Sequence, residues 1–293
     1  MSSISTHLMP DAPALLEAHA RSMPQKDELC GAFWASLALE TLTGTQVTQD
    51  EVAIAAGTLL SLSSDAADSL PPGQLGRRDY VLDLPTTPDV ELAGTAPGGV
   101  LRALEVVSGG SVAGIPTAGP WTEETVLALA ALAAAQPRAV LLLNAATRFL
   151  WGSHASMSHA IRYLLGEDVV TPPADWDVGH FLGVIGVMEG PGGRLLLCAD
   201  TYPSLGVRGL HVQPPEAIAE SLRREDSSFS GGAILAVPAE VRTAVQRQIT
   251  DAGLQVELWD NGCRSPQMDS ERIPPAAGLR RAAPTSRITM EKS

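Results

Sequence analysis

The sequence predicts an α+β protein in which a central N-terminal helix packs on an antiparallel sheet. Three observations carry that expectation. Apolar residues recur almost without a break from 29 to 42, through Phe33, Trp34, Leu37, Ala38 and Leu39, so this helix should be buried on most sides. Two apolar runs, 181–187 and 194–200, flank the glycine-rich reversal Glu189-Gly190-Pro191-Gly192-Gly193, which is the signature of a hairpin. Helix punctuation recurs between them: Thr122 is placed to cap a helix running to Ala135, and Pro137 stops it.

Taken in order, residues 11–22 read as a short helix with Asp11 as cap and Pro13 in its first turn. The central helix follows and should end at Gly44; Gln49-Asp50 then caps a second helix through Leu60. Residues 61–99, rich in Ser, Asp, Pro and Gly, read as a long irregular excursion bordering the cleft, with one strand at 80–84. A helix over 101–107 and strands over 111–115 and 139–144 are expected, then a helix over 156–165. After the hairpin come a helix at 214–224, a strand at 232–237, a helix at 238–252 and a last strand at 254–259. From 264 the chain turns to Pro, Ser, Arg and Ala without apolar periodicity, so 264–293 is expected to be disordered. The domain proper is placed at 23–263, behind an N-terminal segment at 1–22.

At 293 residues and 45% apolar content the chain can bury a full core. Its net charge of -13 argues against nucleic acid and anionic membrane as partners and fits a neutral or basic substrate. Cys30, Cys198 and Cys263 form neither a disulfide framework nor a zinc motif, so no metal or cofactor is expected and the compartment should be reducing. Met1 to Pro10 lacks the marks of a signal peptide and no apolar run reaches membrane-spanning length, which together predict a cytoplasmic protein.

The chemistry gathers at three positions. Cys30 opens the central helix, where unpaired N–H groups and a partial positive charge favour a thiolate and can hold an oxyanion. His180 heads the first hairpin strand and Asp200 ends the second, which makes them neighbours in an antiparallel pair. Nucleophile, base and orienting group are thus supplied. Asn261 competes with Asp200 for the orienting role, but Asp200 is tied to His180 through one hairpin. His19 reads as a solvated helix residue, His211 as a strand or loop residue, and Cys198 as core. Cys263, in an Asn-Gly turn, is given no role. His154 and His159 have the wrong spacing for two metal ligands on one helical face.

These motifs resemble the papain-like cysteine peptidase superfamily, most closely its double-glycine (C39-like) peptidase and phytochelatin synthase branches. Gln25 with Cys30-Gly31-Ala32 is similar to the family's Gln followed by Cys-Gly-small. Gly179-His180 before an apolar strand is similar to its Gly-His, and Asp200-Thr201-Tyr202-Pro203 to its Asp-Pro turn. The Cys-to-His interval also matches papain-type spacing. The resemblance implies Cys30 as nucleophile, His180 as general base and Asp200 as the group that fixes the imidazole tautomer. It further implies an oxyanion hole made by the Gln25 amide and the Cys30 N–H. The expected activity is hydrolysis or acyl transfer at a peptide or amide bond, on a peptide or small peptide-like substrate, through a Cys30 thioester. Gln25 stands five residues before Cys30 where the family usually has six, and bulky Phe33-Trp34 follow. These departures motivate the alternative, a catalytically inactive papain-like module that binds a peptide in the same cleft.

Overall fold

The computed structural model describes residues 3–62, 69–152, 155–170, 172–225 and 227–264; His154 and the expected tail from 265 onward lie outside the described residues. The first half of the chain forms β1 (Ser5–Leu8), α1 (Ala12–Ser22), α2 (Cys30–Thr43), α3 (Gln49–Ala56), β2 (Leu60–Ser61), β3 (Thr86–Thr87), α4 (Pro97–Val107) and β4 (Val112–Thr117). The second half forms α5 (Glu123–Ala135), β5 (Val140–Ala146), α6 (Met157–Leu164), β6 (Gly179–Gly190), β7 (Gly193–Ala199), β8 (Leu210–Gln213), α7 (Pro215–Arg223), β9 (Gly232–Pro238) and α8 (Arg242–Asp251). The fold is mixed α+β with a seven-stranded sheet in the order β4-β9-β5-β6-β7-β8, and β1 pairs with the far part of β6. Every pairing in this sheet is antiparallel.

Helix α2 crosses the sheet in contact with β4, β5, β6 and β9, and α1, α3 and α4 pack around it. Its apolar run has the expected consequence: Phe33, Trp34, Ala35 and Ala38 are wholly buried. Gly44 ends it with φ at 75°, a backbone turn that glycine makes without steric cost. The close approach of α2 to β6 depends on Gly183, since a Cβ there would lie 2.5 Å from the Trp34 ring. The hairpin of β6 and β7 brings the two ends of the apolar runs together, with Gly183 opposite Ala199 in register. Thr122 caps α5 as its sequence predicts, in a reciprocal capping box with Thr125.

Four expectations are corrected. The cap of α3 is Thr48, whose hydroxyl accepts from Glu51 N while the Glu51 carboxylate accepts from Thr48 N, and the helix stops at Ala56 because Gly57 turns left-handed. Residues 80–84 do not form a strand, because the N–H of Val81 is taken by the Asp50 carboxylate; the strand of this excursion is β3, which pairs parallel with β2. Residues 254–259 make only an isolated bridge, Gln255 to Ala118, before Trp259 packs against Gly232. The expected 238–252 helix begins as a short 3-10 turn, Ala239–Val241, before α8. Strand β1 has no counterpart in the sequence expectations, while His211, read as a strand or loop residue, lies in strand β8. Among the described residues no helix is long and apolar enough to cross a membrane.

Candidate active site

Cys30 is the first residue of α2, and the turn that delivers it is clamped from two sides. Asp27 donates its N–H to Arg77 O (2.9 Å), accepts from Arg77 N (2.8 Å) and pairs with Arg78 (3.1 Å). Lys26 forms a buried ion pair with Asp50 at the start of α3, Nζ to Oδ1 2.8 Å. Glu28 adopts φ of 63°, in the left-handed region, and accepts from Ser61 N (2.6 Å); burial raises its pKa. The irregular excursion thus fixes the entrance of α2. The first N–H groups of that helix have no acceptor within it.

His180, at the start of β6, and Asp200, just past β7, are each 2% exposed, and His180 Nε2 donates to Asp200 Oδ1 at 3.0 Å. With Nε2 so engaged, Nδ1 is the ring nitrogen left for Cys30. Burial opposes charge on the imidazole, yet the charge and hydrogen bond of Asp200, together with the adjacent Cys30 thiol, raise its pKa. Burial likewise opposes charge on Asp200, but His180 and then His211 hold its carboxyl well below the usual range. Trp176 covers the imidazole at 4.7 Å between centroids, and Tyr202 stacks on it at 6.1 Å.

Asp200 is held by more than the sequence indicated. Its Oδ1 also accepts from Thr201 N at 2.6 Å, and Oδ2 lies 3.5 Å from His211 Nε2. The tautomer of His211 follows from its other neighbour. Gln213 accepts from Trp151 N (2.7 Å) through Oε1 and donates to Trp151 O (3.0 Å) through Nε2, which fixes its amide orientation. The same Nε2 faces His211 Nδ1 at 3.1 Å, so Nδ1 accepts and Nε2–H points to Asp200. His19 donates from Nε2 to the Asp200 carbonyl and stacks on Trp34 at 5.7 Å. It is 2% exposed, which overturns the expectation of a solvated residue. Burial lowers its pKa, so it serves as a neutral donor.

Gln25 is buried, and its N–H donates to Thr201 O at 3.0 Å. Its side chain reaches Tyr202, whose hydroxyl is pushed up in pKa by burial and then by the nearby Cys30, so Gln25 and Cys30 share one neighbour. Its Oε1 has no hydrogen-bond partner among the described residues. Asn261 is not part of this group; it donates to Thr95 O at 3.2 Å. Cys198 is core, with burial raising its pKa, and His159 packs edge-on against Trp151. A cavity of about 30 Å³ borders Asp200 and His211 and is too small for a peptide. The roomier groove, about 900 Å³ along α5 and β6, includes none of these residues. Among the described residues no cluster of three or more His, Cys, Asp or Glu could hold a metal ion.

Sequence reasoning singled out Cys30, His180, Asp200 and Gln25 but passed over the surrounding His19, Thr201, His211 and Gln213. His19 carried a signal: it lies four residues after Leu15 and seven after Ala12, on the face α1 buries. His211 carried none, because strand β8 is short and partly polar.

Fold and site together define a mixed α+β protein with a cysteine at a helix start beside a buried histidine–aspartate pair. The chain belongs to DUF6885, a family of unknown function, which residues 9–260 match. Comparison with curated proteins finds no match. Cys30, His180, Asp200 and His211 all fall within the matched region, whereas Cys263 lies beyond it.

Proposed function

We propose that this protein is a papain-like, thiol-dependent hydrolase or acyltransferase that acts on a peptide or amide bond through a Cys30 thioester. The observation that carries the reading is the buried His180–Asp200 pair, Nε2 to Oδ1 3.0 Å, which leaves Nδ1 to the thiol of Cys30. In the reaction, Cys30 gives its proton to His180 Nδ1, and the thiolate formed beside the imidazolium attacks the carbonyl carbon. The oxyanion accepts from the Cys30 backbone N–H and the Gln25 amide. His180 then protonates the leaving amine, and water or a second amine takes the acyl group from sulfur. Asp200, itself held by Thr201 and His211, keeps the imidazole in the tautomer that presents a basic Nδ1. Three free cysteines suit a reducing, cytoplasmic setting.

The test is alkylation by iodoacetamide, mapped by peptide mass spectrometry, alongside hydrolysis of a mixed peptide library. Cys30 should be modified ahead of Cys198 and Cys263, and Cys30→Ala should abolish turnover. Labelling of Cys263 or Cys198 in preference to Cys30, or turnover untouched by Cys30→Ala, contradicts the reading. Tight peptide binding without turnover, unchanged in Cys30→Ser, would instead favour an inactive peptide-binding module.

A further inference from the structure

Among the described residues, Arg224 is a buried cation without an acidic partner. It follows α7 in the left-handed conformation, φ 50°, and is 5% exposed. Its Nη2 donates to Asn144 O (3.1 Å) and to Asn144 Oδ1 (2.9 Å), while its Nε is buried with no hydrogen-bond partner among the described residues. The neighbouring ion pairs pass it by: Arg223 takes Glu225 at 3.1 Å, and Arg148 takes Asp177 at 2.9 Å. Burial lowers its pKa to about 10, which leaves it charged at neutral pH. A buried guanidinium held, among the described residues, only by an amide and a carbonyl is costly, and in a chain of net charge -13 carboxylates are not scarce.

Its position gives that cost a use. Nη1 makes no hydrogen bond among the described residues and lies 3.5 Å from where a Gly179 side chain would begin. Gly179 is exposed and directly precedes His180, so Nη1 lies beneath an exposed glycine at the head of β6. Cys263 ties this point to the nucleophile. Burial lifts its thiol to about 12, with Cys30 adding to the rise and Arg224 opposing it, so both groups lie within electrostatic reach of one atom. Arg148 adds a second positive charge felt at Arg224.

We propose that Arg224 is the recognition site for a carboxylate on the substrate, so that the acyl transfer proposed above acts on an acidic peptide or peptide-like amide whose charge lies close to the scissile bond. The inference rests on that reading of Cys30 and turns its expected substrate from neutral or basic to acidic. A guanidinium matches a carboxylate in charge and donor geometry, and the bound carboxylate would supply the acid that Arg224 lacks among the described residues.

The experiment compares iodoacetate with iodoacetamide on the full chain. Both form the same C–S bond at Cys30 and expel iodide; they differ in one carboxylate. The His180 imidazolium favours the anion in every variant, so the readout is the change in the rate ratio. Arg224→Gln should lower the iodoacetate-to-iodoacetamide ratio at Cys30 by roughly fivefold or more, and Arg224→Lys should retain most of it. Asn144→Asp, which gives Arg224 an internal carboxylate without removing it, should produce the same loss even where Arg224→Gln fails to fold. An unchanged ratio in these variants, with Cys30 still reactive, makes Arg224 a clasp for β5 and overturns the proposal. Cys30 inert to both reagents in the unmodified protein sinks the nucleophile reading, and this proposal with it.

Discussion

Asp200 and His211 face each other with Oδ2 and Nε2 3.5 Å apart, and Gln213 forces the ring to present a proton across that gap. The carboxylate that orients His180 is therefore itself oriented by a second imidazole. His211→Ala should leave Oδ2 without its donor and cost about 1–3 kcal/mol of stability, while slowing Cys30 alkylation. Gln213→Leu should slow it as well, because it removes the donor 3.1 Å from Nδ1 that keeps the ring proton on Nε2, facing Asp200. Stopped-flow alkylation with denaturant melts of each variant checks both effects.

The His180–Asp200 pair sets a pH dependence of stability. His180 has its folded pKa raised above the ordinary 6.5, so its contribution is full below 6.5 and fades as pH rises above it. Asp200 is depressed below 3.8, so its contribution is full above 3.8 and is lost as pH falls below it. Both describe one ion pair, which should be strongest between those values. The melting temperature of wild type should therefore exceed that of His180→Gln most at about pH 5 to 6, with the gap narrowing toward alkaline pH. A gap that widens with pH would refute the assignment.

Gly183 is required by the Trp34 ring. Gly183→Ala places a Cβ 2.5 Å from that ring, so α2 must move or the indole must leave its rotamer. A loss of about 1–3 kcal/mol is expected, and because α2 carries Cys30 the alkylation rate should fall with it. Calorimetry and peptide mapping on the same preparation read the two together.

The buried pair of Lys26 and Asp50 should behave asymmetrically. Asp50→Asn leaves an ammonium that is 8% exposed without its counter-ion and should cost about 3–5 kcal/mol, whereas Lys26→Met with Asp50→Leu should cost far less. The single variant should also loosen the turn ahead of Cys30, raising proteolytic cleavage near Lys26 in a limited digest.

What the chain discloses before folding follows the range of its interactions. The helix at Cys30 and the hairpin from His180 to Asp200 are written in local periodicity and turn residues, so they are legible. The cap of α3 is legible too, but one residue earlier, because Thr48 with Glu51 forms the stronger box. His211 and Arg224 are not legible: each owes its role to partners distant in sequence, Asp200 through β8 and Asn144 through the end of α7. The 254–259 run has the composition of a strand, yet Trp259 turns its indole N–H to Asn144 Oδ1 (3.4 Å) and packs on Gly232 instead of joining the sheet.

The central claim is that Cys30 reacts through His180. Its most direct measurement is the second-order rate of iodoacetamide at Cys30 near about pH 6, in wild type and in His180→Ala, with the modified residue located by mass spectrometry. The account predicts a wild-type rate at least ~tenfold above the variant, since the variant has lost the group that takes the thiol proton. Equal rates in the two proteins, with both folded, would contradict it.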